Sequence, residues 1–82
     1  MLDAITKRTK TVRAYRDVFN SEEGKLVLSD LCKSCHVFHS TFDTNPNETY
    51  YREGERSVVL RILRTLEVDP FELEKQLKGQ SN

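Results

Sequence analysis

The stretch from Asn45 to Leu66, NPNETYYREGERSVVLRILRTL, constrains this chain more than any other. Asn45 can cap a helix, Pro46 suits its first position, and Glu48 stands where a capping box returns a bond to the cap. At about 100° per residue, Val58, Val59, Ile62, Leu63 and Leu66 fill one broad arc and Leu60 widens it. Ser57, Arg61 and Arg64 are left for water. A stripe this wide predicts a helix touching more than one neighbour. In the first half of the same helix the arc carries Tyr51, Arg52, Glu55 and Arg56, whose charges must reach solvent, pair together or meet a partner. That half is the expected working surface.

The segments on either side read as helices too. Leu2 to Phe19 places Ile5, Val12, Tyr15 and Phe19 on one face, interrupted by Arg8. The stripe is thin, so residues 1–13 read either as a helix needing a partner surface or as a basic arm. Asn20 and Ser21 break the pattern. Ser21 with Glu22 and Glu23 then starts a second helix, placing a hydroxyl and two carboxylates at its positive end. Its buried face is expected to be Gly24, Val27, Leu28, Leu31, Cys35 and Phe38, with Gly24 allowing close approach of a neighbour. Phe38 to Thr44 is a connector pinned by Thr41 and Phe42. Asp69-Pro70-Phe71-Glu72 repeats the earlier start signal and opens a short helix to Lys78, docked by Phe71, Leu73 and Leu77 and ended by Gly79. Residues 79–82 form a loose tail. The expected fold is all-α: one compact helical bundle over residues 1–82, three main helices plus a short C-terminal one.

Composition sets the limits. A chain of 82 residues has room for one small domain, burying roughly 60–65% of its unfolded surface. Thirteen basic residues balance thirteen acidic ones, so the molecule as a whole is not a polyelectrolyte binder. Yet Lys7, Arg8, Lys10, Arg13 and Arg16 face only Asp3 in the first sixteen residues, a patch suited to nucleic acid or an acidic partner. No run approaches the ~20 apolar residues of a membrane span, and no secretory leader is evident. Two cysteines suggest reduced thiols and a cytoplasmic setting.

The run CKSCHVFH places Cys32, Cys35, His36 and His39 close together. On a continuing helix these four positions spread over about 10.5 Å, while zinc holds its ligands within roughly 2.0–2.3 Å. A zinc finger brings its second ligand pair from elsewhere, and no second pair exists. Covalent haem attachment at CxxCH needs export, a redox CxxC needs a strand-to-helix junction, and a Cys–His catalytic pair needs an orienting third group. No metal and no cofactor is expected. Cys35 reads as a core residue, with Cys32 and the histidines at the helix edge. The connector is also too long for a helix-turn-helix, whose turn takes about 3–4 residues. Catalysis by Glu53 or Glu55 lacks a second segment to form a pocket, so no enzyme is expected.

Four pieces together carry a resemblance: Tyr15-Arg-Asp-Val-Phe19, Gly24-x-x-Val-Leu28-x-Asp-Leu31, Thr41-Phe42, and Glu53-Gly-x-Arg56-Ser-Val-Val-Leu-x-Ile62-Leu. They resemble a family of short proteins from tailed bacteriophages and prophages, of the Bordetella-phage type. The resemblance spans Tyr15 to Leu66 and leaves the basic first segment and the D-P-F-E helix outside. It implies no catalytic residues and a gene neighbourhood of head, portal and ejection components. The expected function is therefore non-enzymatic binding of another phage structural or assembly protein, in the host cytoplasm or the virion, with oligomers allowed. Tyr50, Tyr51, Arg52, Glu53, Glu55 and Arg56 are the expected contact residues. The alternative is a nucleic-acid-binding or host-regulatory adaptor using Lys7, Arg8, Lys10, Arg13 and Arg16.

Overall fold

Four helices follow one another in the computed structural model: α1 (Leu2–Phe19), α2 (Glu22–Ser34), α3 (Pro46–Thr65) and α4 (Pro70–Gln80). The structure describes residues 2–80, with side chains from 8 to 79. Ile5 and Lys7 therefore lie outside the described side chains, and Ser81 and Asn82 outside the described residues. The all-α class is as expected. Residues 2–13 are the first part of α1.

The joint between α1 and α2 is the tightest point of the fold. Ser21 caps α2, its hydroxyl accepting from the Gly24 N–H at 3.0 Å and donating to the Val18 carbonyl at 2.7 Å. One side chain thus satisfies an orphan group of each helix. Gly24 is buried against the end of α1. A Cβ there would sit 2.7 Å from the Val18 carbonyl carbon and 2.8 Å from the Phe19 Cα, with the carbonyl oxygen closer still.

Leu28, Cys32, Val37, Val59 and Leu63 form the core, with Phe19, Leu31, Leu60, Ile62, Leu66, Val68 and Leu73 packed around them. The buried row of α2 runs in i, i+4 steps through Gly24, Leu28 and Cys32. That seam is turned from the expected one. Cys32 is fully buried, Cys35 only partly, and Val27 is half exposed. In α3, Val59 and Leu63 are buried as expected, but Val58 lies about a quarter-turn away and is 60% exposed. Phe42 does not pin the connector and Phe71 does not dock α4, since both point to solvent. The Lys75 ammonium instead lies 4.9 Å from the Phe71 ring centroid. Leu73 and Leu77 face the cleft between α4 and α2.

Two helix ends use a device that the sequence does not advertise. After α2, His36 adopts φ 60° and the Val37 N–H bonds the Cys32 carbonyl at 3.1 Å. After α3, Glu67 adopts φ 58°, its N–H bonds the Arg64 carbonyl, and the Val68 N–H bonds the Leu63 carbonyl at 2.9 Å. These bonds give both ends the 6→1 link of a Schellman cap, with Val37 and Val68 meeting the core one step beyond. Glycine normally fills the left-handed position, because other residues strain there by about 1–2 kcal/mol. Gly79, by contrast, continues α4 rather than ending it. Replacing Glu67 with glycine should raise stability by about 1 kcal/mol, read as a higher urea midpoint at unchanged slope.

Candidate functional site

The first half of α3 is built onto the connector before it, and Asp43 is the hinge point. Its carboxylate accepts from the Asn45 N–H at 2.8 Å, the role expected of Glu48 in a capping box. The Asn45 side chain accepts from the Asn47 N–H at 2.9 Å, so the cap itself forms as expected. The Asp43 N–H and carbonyl are both held by the Thr49 hydroxyl, at 2.9 and 3.1 Å. The second carboxylate oxygen of Asp43 lies 3.4 Å from the Arg52 guanidinium, which also stands 3.9 Å from Glu48. Thr41 donates a hydrogen bond to Glu53 and ties the connector to the next turn.

These bonds divide the six expected contact residues. Arg52 is neutralised by two carboxylates and three-quarters buried, and Glu53 holds Thr41, so both fasten the connector to α3. Glu55 and Arg56 are half-buried on the core side of the helix. Tyr50 and Tyr51 are the open ones, 74% and 66% exposed. Around the same helix Gly54 and the exposed Val58 continue the outward face, and nothing lies within 4 Å of where a Gly54 Cβ would be. Phe42, 74% exposed, sits at this end of α3, one residue before Asp43. What the structure brings together is an uncovered aromatic and aliphatic face on a helix whose Arg52 and Glu53 are tied to the connector. Asp43 was missed in the sequence, although an Asp two residues before an Asn-Pro cap is a turn signal that would have pointed to it.

The surface as a whole is large for the mass. The 9.6 kDa chain exposes 6572 Å², where a globular monomer of that mass exposes about 5,100 Å². Among the described residues, eight large hydrophobic side chains are more than half exposed, against five in the core.

The comparison with known families follows this layout. A family model described as Bbp19-like phage protein matches residues 15–78. The chain belongs to this family. The Bbp19-like match begins at Tyr15, leaving out the first basic turns of α1, and runs through α4. It thus extends past Leu66, and the D-P-F-E helix lies inside it after all. Asp43, the tyrosine face and both Schellman caps all fall within the Bbp19-like region. No curated protein and no solved structure matches the chain.

The cysteine–histidine run is divided by burial. Cys32 is fully buried, and burial, reinforced by the neighbouring Cys35, pushes its thiol up from 9.0 to about 11. A thiol so hard to ionise is a poor ligand and nucleophile, since both roles need thiolate. Among the described residues no group of three or more His, Cys, Asp or Glu converges. No helix among them is long and apolar enough to cross a membrane. Native protein at about pH 8 should therefore react with a thiol reagent at Cys35 alone, with Cys32 reacting only in denaturant. Folding raises the Cys32 pKa, so its contribution is fully present below pH 9 and is lost as the pH climbs towards 11.

Proposed function

We propose that this Bbp19-like protein is a non-enzymatic binding protein that docks another phage protein through the exposed first half of α3. The observation carrying this reading is the set of large hydrophobic side chains left open on and beside this half-helix, Phe42, Tyr50, Tyr51 and Val58, each at least 60% exposed. Tyr50 and Tyr51 are the anchors, because aromatic side chains dominate binding energy at such interfaces. Gly54 lets a partner backbone come close between Tyr50 and Val58. The partner presents an apolar ridge, not a charged one, since Arg52 and Glu53 are already satisfied within the chain. Arg52 and Glu53 act by holding the connector so that Phe42 joins the face. The setting proposed is the host cytoplasm during assembly, or the virion itself.

The test is a photo-crosslinking amino acid placed at position 50, and at Lys33 on α2 as control, in cells producing the phage. A single phage-encoded adduct from position 50, absent from position 33, supports the reading. Equal adducts from both positions, or none from 50, reject it.

A further inference from the structure

A second surface lies where α1 crosses the last turns of α3, and it is made of arginine. A cleft of about 380 Å³ is lined by Arg8, Thr11, Val12 and Tyr15 from α1 and by Arg61, Arg64 and Thr65 from α3. On the other side of Arg8 and Val12 a shallower hollow continues the lining with Arg13, Arg16 and one carboxylate, Asp17. Of these arginines only Arg16 has a carboxylate partner among the described residues, Glu67 at 3.9 Å on the open surface. Among the described residues, four guanidinium groups without an ion-pair partner are thus gathered in a molecule whose formal net charge is zero.

We propose that this cleft binds the phosphate backbone of a single-stranded nucleic acid. Arg8, Arg61 and Arg64 would contact phosphates and Tyr15 would stack a base. Two features favour a strand over an acidic peptide. The cations are all arginine, whose planar fork matches phosphate oxygens in pairs. The positive lining also extends along α1 past a half-buried aromatic ring, the arrangement of a charged groove with a stacking platform. The site is independent of the tyrosine face, so either can fail while the other stands.

The experiment is fluorescence anisotropy of a labelled oligothymidine with the full chain across a salt series, for wild type and Arg61→Ala/Arg64→Ala. Wild type binds at low salt, and affinity falls as salt rises. The double variant binds at least tenfold more weakly, and its slope of log affinity against log salt is shallower by about 1.4, at ~0.7 per phosphate. Both arginines are exposed, so the helical circular dichroism stays unchanged. Lys25→Ala/Lys33→Ala, which removes the same charge from α2, leaves binding intact. The proposal is overturned if wild type does not bind the oligomer at low salt, or if the lysine pair loses as much as the arginine pair. It is equally overturned if only duplex DNA binds, or if polyglutamate of matched charge competes as well as the oligonucleotide.

Discussion

Alanine at Gly24 should remove more than half of this protein's stability. The added methyl group would meet backbone rather than a side chain that can swing away, with the Phe19 Cα at 2.8 Å and the Val18 carbonyl nearer. Relief requires α1 to lift off α2, which breaks both bonds of the Ser21 hydroxyl and uncovers Leu28 beneath. Overpacking in a well-packed site costs about 1–3 kcal/mol even where side chains can adjust. Here the loss should reach at least 3 kcal/mol (roughly), against a total stability on the order of 5 kcal/mol for a domain this small. Gly54→Ala and Gly79→Ala are the internal controls. A Cβ at either meets nothing within 4 Å, and both glycines sit inside helices. Each of those changes should raise stability by about 0.5–1 kcal/mol, because alanine restricts the unfolded chain and suits a helix. Urea titrations followed by circular dichroism would rank the three. A tolerated Gly24→Ala would show that the α1–α2 joint is looser than described.

The contrast among these glycines shows where the sequence was legible. The starts of α2, α3 and α4 were readable, because starts depend on local chemistry: Ser21, Asn45-Pro46 and Asp69-Pro70 each cap within a few residues. The Phe71 N–H bonds the Asp69 carboxylate at 2.8 Å, just as that grammar implies. The end of α1 at Phe19 was readable as well, but the caps that close α2 and α3 were not. His36 and Glu67 adopt the left-handed conformation because Val37 and Val68 are pulled into the core, and that pull is tertiary. Gly79, the residue that looked like a stop, sits inside α4.

Burial was legible in kind and misplaced in detail. The apolar periodicity found the right faces of α2 and α3. It could not tell that the seam centres on Cys32 instead of Cys35, or that Val58 and Phe42 would be left outside. Those outcomes depend on where neighbouring helices stop, and a five-residue core reaches only so far. The candidate site followed the same rule. Tyr50 to Arg56 stood out as a charged half-helix, yet the division between fastening residues and open ones needed the connector's path over Thr49 and Arg52. Arg61 and Arg64 read as solvated positions, and the crossing of α1 made them walls of a cleft.

The largest functional effect should come from truncating Tyr50 and Tyr51 together. Each ring is at least two-thirds exposed or close to it, and the described contacts place neither in the core, so the fold should keep its stability within about 0.5 kcal/mol. If the rings are the anchors of an interface, each contributes about 2 kcal/mol or more to binding. Allowing for non-additivity, affinity should fall at least ~100-fold. Gly54→Ala adds a second reading, since it should stabilise the free protein while weakening a close-packed complex. Arg52→Ala should act differently, weakening binding through the loosened connector and lowering stability at the same time.

The decisive measurement is a calorimetric titration of the phage protein crosslinked from position 50 into wild type and into Tyr50→Ala/Tyr51→Ala. We predict a saturable wild-type isotherm and a loss of at least ~100-fold in the variant, with identical helical circular dichroism. Unchanged affinity in the variant, or affinity lost only together with the helical signal, would contradict the assignment of this face as the docking surface.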